Sequence, residues 1–225
     1  MIDTIVNAFH GGGIWMFPIL GCLLVTLTIT LERAYVLYVQ VREDKEALLR
    51  GLQKHVFHGD VHGAIRFIDA QRPGPLSRVL KSGLLKVHRN DQEVQASLDE
   101  ASLREVPHLE KRVSFLAVLS NAATLFGLLG TIIGMIHCFA AVAHVDPAQK
   151  ATILAAGIAE AMNCTAFGLI TAIPALLIYG VLQSRVQHIT DGINEGVVTT
   201  MNLVLGNRAL YNASGDVAKT GTEAK

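Results

Sequence analysis

Three long apolar runs alternate with mixed polar segments along the chain, and each run predicts a helix. The first occupies residues 14–31 and meets no charge before Glu32 and Arg33; its 18 residues just suffice to cross a hydrocarbon layer about 30 Å thick. A secretory signal would need a basic leader, and residues 1–13 hold neither Lys nor Arg, so the run reads as a retained span. Trp15 and Phe17 at one end, with Tyr35 and Tyr38 at the other, suit interfacial anchors. The second run, 113–145, follows Glu110, Lys111 and Arg112, and His137 and His144 are its only ionisable side chains apart from cysteine. The third, 151–182, carries one charge, Glu160. Both are longer than a perpendicular crossing needs, so a tilt or a projection beyond the lipid is expected. The short connection 146–150 makes these two helices an antiparallel hairpin.

Between the first and second runs the pattern changes. Leu76, Val79, Leu80, Gly83, Leu84 and Val87 recur at helical spacing after the break Pro73-Gly74-Pro75. Val94, Leu98 and Ala101 open a further amphipathic helix toward the second span, with a kink expected at Pro107. Past the third run, Val186, Ile189, Ile193 and Val197 continue an apolar stripe. Spans two and three are therefore expected to extend as long helices on which the loop helices pack.

Charge then orients the spans. Segment 38–112 holds 13 Lys and Arg and the part after Leu182 holds four, against none in residues 1–13 and only Lys150 in the hairpin connection. Arg33, Arg42, Lys45, Arg104, Lys111 and Arg112 all flank spans on that same side. The positive-inside rule places the N-terminus outside and both the loop and the C-terminus inside. The expected fold class is an all-α membrane protein with three transmembrane helices. Its segments are an outer N-terminus (1–13), spans 14–37, 113–145 and 151–182, and the outer connection 146–150. Inside lie a helical loop domain (38–112) and a C-terminal helix with a flexible tail (183–225).

Composition agrees: 51% of residues are apolar, 17% are charged, and mean hydropathy is +0.40, all pointing to the membrane class. The formal net charge is zero, which gives no footprint for nucleic acid. Cys22, Cys138 and Cys164 each sit inside an apolar run and form no C-x-x-C pair, so they read as small apolar residues rather than a redox site. The spacing of His55, His58 and His62 suits one helical face. With no cysteine and no second ligand cluster beside them, a solvated surface is the expected reading and no metal is assigned. Phosphate-loop, G-x-S-x-G and H-E-x-x-H motifs are missing from the sequence, so no catalytic domain and no enzyme activity is expected.

The spans carry the candidate chemistry. In span two, Ser120, Thr124, Thr131 and Cys138 fall in a narrow sector, since seven residues rotate a helix by only about 20°. Gly127, Gly130 and Gly134 read as packing positions, with Gly130 and Gly134 in a G-x-x-x-G. For Thr131, packing and ion contact are balanced readings, because a hydroxyl can also bond back to its own helix. In span three, Glu160, Asn163, Cys164, Thr171 and Pro174 share a face, with Gly157 and Gly168 at its edge and Thr165 turned toward a neighbouring helix. A carboxylate at such depth costs about 2.5–3.5 kcal/mol. Glu160 should then meet a cavity or partner, as part of an ion path or as a protonated structural acid. Three spans cannot enclose an aqueous path, so several copies lining a shared interior are expected.

The stretch TLFGLLGTIIGM at 124–135, with GIAEAMNCTAFGL at 157–169 and AIPA at 172–175, resembles the signatures of the MotA/TolQ/ExbB proton-channel family, in its three-span ExbB/TolQ-like branch. The resemblance covers roughly residues 14–200. It implies a homopentamer in the bacterial inner membrane, with a periplasmic N-terminus and a cytoplasmic C-terminus. The pentamer would surround single-span ExbD/TolR-like partners bearing a membrane aspartate. Ion flow would then drive a TonB- or TolA-like envelope protein or a gliding machinery. Thr131 and Thr165 match the family's two pore threonines, and Glu160 matches its span-three glutamate. Thr124 stands where the family commonly has proline, and Asn163 and Cys164 are more polar than its usual aliphatic residues. H⁺ is the expected coupling ion, while those added polar atoms are what would suit Na⁺. The expected ion-pathway residues are Thr131, Thr165, Glu160, Thr124 and Asn163; Gly127, Gly130, Gly134, Gly157, Gly168 and Pro174 are expected to serve packing. A non-conducting membrane scaffold is the rival reading. A lone solute transporter would need internal repeats and broken helices, and neither is found in the sequence.

Overall fold

The computed structural model describes residues 13–41, 43–143 and 145–208, and every regular element among them is helical. In chain order these are α1 (Met16–Tyr35), a π-helical turn (Val36–Gln40), α2 (Lys45–Phe57), α3 (Val61–Ala70), α4 (Pro75–Leu84), α5 (Asp91–Glu110), α6 (Val113–Val142) and α7 (Pro147–Gly206). Two compact units form. One takes the described residues of Met1–Ala34 and Arg112–Gln183, the other those of Tyr35–Lys111 and Ser184–Lys225.

The first unit consists of α1, α6 and the first part of α7. α1 buries Met16, Ile19, Cys22, Thr26, Ile29 and Arg33, a stripe repeating every three or four residues that gives the helix one inward side. α6 buries Leu116, Ser120, Ala123, Gly127, Gly130 and Cys138. The buried side of α7 holds Ala161, Cys164, Gly168, Thr171, Ala172 and Ala175. Where α6 faces α7 the seam is made mostly of small residues, which let two backbones approach closely in lipid. The outward sides are equally apolar: Leu125 is 64% exposed, Met162 65% and Leu177 67%. All three helices are long and apolar enough to cross a membrane.

Local chemistry sets the ends of this unit. α7 starts at Pro147, whose missing N–H costs nothing at a first helical position. Residues 147–150, expected in the connection, are thus the first turn of the helix. At the far end Pro107 remains inside α5. The break falls instead at Arg112, which adopts the left-handed conformation at φ 67° and anchors it by pairing with Glu32 at the end of α1. The change of direction expected at Pro107 therefore falls five residues later.

The second unit is a conventional helical core. Asp44 and Asp60 cap α2 and α3 by accepting from Ala47 N at 3.1 Å and Gly63 N at 2.7 Å, as short acidic side chains do at helix starts. Gly59, at φ +69°, turns the chain between these helices. His55 therefore lies in α2, His58 caps its end and His62 lies in α3. The three are not on one helical face as the spacing suggested; His55 instead stacks obliquely on Phe67 with ring centroids 5.7 Å apart. The Glu43 carboxylate receives Leu76 N at 3.1 Å and Ser77 N at 3.2 Å, placing an anion at the positive end of α4. α4 and α5 approach closely where Gly83 faces Leu98. There Ser97 donates to Ser82 O at 3.1 Å, and the one hydrogen of the Ser82 hydroxyl has Val79 O at 2.7 Å and Ser97 O at 3.0 Å as acceptors. Arg78 grips Glu105 with two hydrogen bonds of 2.7 and 2.6 Å, and that carboxylate raises the Arg78 guanidinium above its ordinary pKa. Val186, Ile193 and Val197 of α7 are buried here, continuing the stripe read past span three.

Candidate functional site in the membrane helices

α6 and α7 cross where glycines let the two backbones touch. A Cβ on Gly168 would lie 2.8 Å from Ala123 O and 3.1 Å from Gly127 Cα, and one on Gly127 would lie 3.3 Å from Cys164 O, Gly168 Cα and Thr165 Cα. Gly130 leaves room for the Cys164 thiol, Gly157 for the Cys138 thiol, and Gly134 opposes Ala161. Five of the six residues expected to serve packing thus lie in this crossing. Pro174 does not; it is exposed on α7.

Hydroxyl groups stitch the seam. Ser120 donates to Ala172 O across the two helices at 2.8 Å. Thr124 and Thr131 donate within α6, to Ser120 O at 3.1 Å and Leu128 O at 2.6 Å. Thr165 reaches Gly127 O at 3.0 Å and Thr131 Oγ1 at 3.2 Å. A hydroxyl has one hydrogen, so Thr165 can place it on the carbonyl or on the other threonine, and a rotation of that one bond converts the two. Replacing Ser120 by alanine removes an interhelical bond worth about 0.6–1.7 kcal/mol. A lowered thermal midpoint in detergent, with the fold kept, is the expected result.

Glu160 lies apart from the threonine pair, on the wall of a 190 Å³ cavity with Ile14, Trp15, Gly130, Ile133, Gly134 and His137. Its carboxylate oxygen lies 2.5 Å from where a Cβ on Gly13 would project. Gly13, at φ +69°, supplies a conformation that other residues rarely adopt. Beneath this wall Met16, Ile19 and Cys164 form a small core flanked by Trp15, Phe126 and Phe167. Thr124 is exposed and Asn163 half-buried, and neither takes part in the threonine pair. Thr171 is buried with its hydroxyl unpartnered.

The helical wheel separated Thr165 from the Glu160 face, and the helix toward which it turns is α6 of the same chain. Sequence reasoning missed the pairing of Thr165 with Thr131 and the place of His137 beside Glu160. For His137 the available signal was a lone imidazole deep in an apolar span. Among the described residues no group of three or more His, Cys, Asp or Glu side chains is arranged to hold a metal ion.

Comparison with known proteins bears on this arrangement. The sequence pattern of the MotA/TolQ/ExbB proton channel family matches residues 71–195, more than half of the chain and including the whole hairpin crossing. The chain belongs to the MotA/TolQ/ExbB proton channel family, and with its three apolar helices it is a multi-pass membrane protein. It is similar to the ExbB-like 3 biopolymer transport protein of Synechocystis sp., at 29% identity over 77% of this chain and 82% of that one. It resembles the Tol-Pal system protein TolQ of Haemophilus influenzae at 42% identity, over 41% of this chain and 40% of the relative. The biopolymer transport protein ExbB of Salmonella typhimurium is 31% identical over 61% of this chain and 62% of its own length.

Proposed function

We propose that this chain is the channel-forming subunit of an ion-driven motor in the bacterial inner membrane. In this reading several copies, five by family resemblance, surround single-span ExbD/TolR-like partners that bring a membrane aspartate. The N-terminus lies in the periplasm and the loop and C-terminus in the cytoplasm, in keeping with the clustering of Lys and Arg in 38–112. The output is work on a TonB- or TolA-like envelope protein or on a gliding machinery.

The observation that carries the reading is the hydroxyl pair Thr131–Thr165, 3.2 Å apart at a glycine-lined crossing of two membrane helices. Two adjacent oxygen atoms, one of them with a hydrogen that can be redirected, offer polar contacts to a proton or to a cation that keeps part of its water. The described residues of both buried seams contain no aspartate, which suits a carboxylate supplied by the partner. Moving one charge through 100 mV releases about 2.3 kcal/mol, so a few ions per cycle could drive a conformational step. H⁺ is the ion we assign; Asn163, half-buried one residue from Cys164, is the feature a Na⁺-driven version would use.

The test is co-purification of the tagged chain from its native host, followed by particle imaging. Recovery of a small single-span protein bearing a membrane aspartate, enclosed by a ring of this chain, is the expected result. A ring with no such partner would support the scaffold reading instead.

A further inference from the structure

The cavity beside Glu160 holds a second ionisable group that the family reading leaves without a role. His137 of α6 and Glu160 of α7 line the same 190 Å³ space, large enough for several water molecules at about 30 Å³ each. The other described lining residues carry no charge: Ile14 and Trp15 come from the segment leading into α1, and Gly130, Ile133 and Gly134 from α6. Two further titratable groups are the thiols of Cys164, facing Gly130, and Cys138, facing Gly157. Both are turned into the helix seam, where Cys138 already points at Ile153 O and Leu154 O, at 3.7 and 3.6 Å.

Register places this cavity in series with the threonine pair. Glu160 is five residues before Thr165 and His137 six after Thr131, so at 1.5 Å per residue both lie about 8–9 Å farther toward the 143–146 connection. An imidazole and a carboxyl on the wall of one cavity thus lie next in line to the paired hydroxyls, on the side of the connection.

The geometry points to His137 as a proton-carrying residue that loads Glu160 through this cavity. The assignment rests on the channel reading above. A proton from water at the connection end binds the free imidazole nitrogen of His137, giving an imidazolium. That ring passes a proton through cavity water to the Glu160 carboxylate, leaving a neutral imidazole and a neutral carboxylic acid. Glu160 then releases the proton to water beside Thr131 and Thr165 and returns to its carboxylate. Each transfer conserves charge, and the proton's final acceptor is the partner's aspartate.

Proton uptake into vesicles holding the complex tests the assignment. His137→Gln and His137→Asn keep a polar side chain but cannot carry a proton as imidazole does, and each is expected to cut uptake roughly ten-fold in a complex recovered at wild-type yield. Glu160→Gln combined with His137→Gln should lose little more than the weaker single variant, as two groups on one route require. Wild-type uptake in either recovered histidine variant, or fully additive losses in the double variant, would overturn the carrier role. A wild-type complex that moves no protons would overturn the channel reading and the carrier role with it.

Discussion

Valine at position 131 or 165 will stop gradient-driven activity while the assembled complex remains recoverable. Valine keeps the branched shape of threonine and puts a methyl group of similar size where the hydroxyl was, so the packing of the crossing is largely preserved. At Thr165 the loss includes the 3.0 Å bond to Gly127 O, worth about 0.6–1.7 kcal/mol between membrane helices, too little to unfold three packed spans. The ion loses more. A polar contact that disappears from a buried path raises the barrier by about 1–3 kcal/mol, or roughly ten- to hundred-fold in rate. Removing Thr165 also removes the one hydrogen that can be redirected between Gly127 O and Thr131 Oγ1. Proton uptake into vesicles containing the complex is the measurement. If both valine variants pump and perform work normally, these threonines are packing residues and the motor reading falls.

The largest structural loss is expected from leucine at Gly168. There the obstacle is backbone: Ala123 O at 2.8 Å and Gly127 Cα at 3.1 Å from a hypothetical Cβ. A flexible side chain could swing away, whereas a helix backbone cannot, so α6 and α7 must separate. Separation would also break Ser120 to Ala172 and Thr165 to Gly127, making the change cost about 3 kcal/mol or more. Yield and thermal midpoint of the detergent-purified subunit should collapse together. Gly180→Leu is the control, since nothing lies within 4 Å of a Cβ there, and the isolated subunit should fold normally. Equal damage from both variants would mean that the crossing does not depend on contact at Gly168.

Much of this fold is legible in the sequence because membrane spans are written in composition. A run such as 14–31 has no other stable home, and Pro73-Gly74-Pro75 marks the start of α4 without help from tertiary structure. Punctuation by one residue is less reliable. Pro107 stayed inside α5, and the chain turned instead at Arg112, which pairs with Glu32. The histidine spacing failed for a related reason. His55, His58 and His62 fit one face only if the helix continues, and Gly59 with Asp60 ends it. In the candidate site, the wheel shows which side chains share a face of one helix and says nothing of the register between two. That Thr165 lies level with Gly127 and Thr131, or Gly134 with Ala161, depends on how two antiparallel helices slide past each other, which the small residues fix only once they are in contact.

The back-bonded threonines of α6 carry a last consequence. Thr124 and Thr131 spend their hydrogens on carbonyls of their own helix, so each turns lone pairs, not a donor, toward whatever passes. Thr165 does likewise whenever its hydrogen rests on Gly127 O. In the proposed channel these threonines would then offer a passing ion lone pairs without a formal charge. A surface of that kind would favour hydronium or a bare cation over chloride.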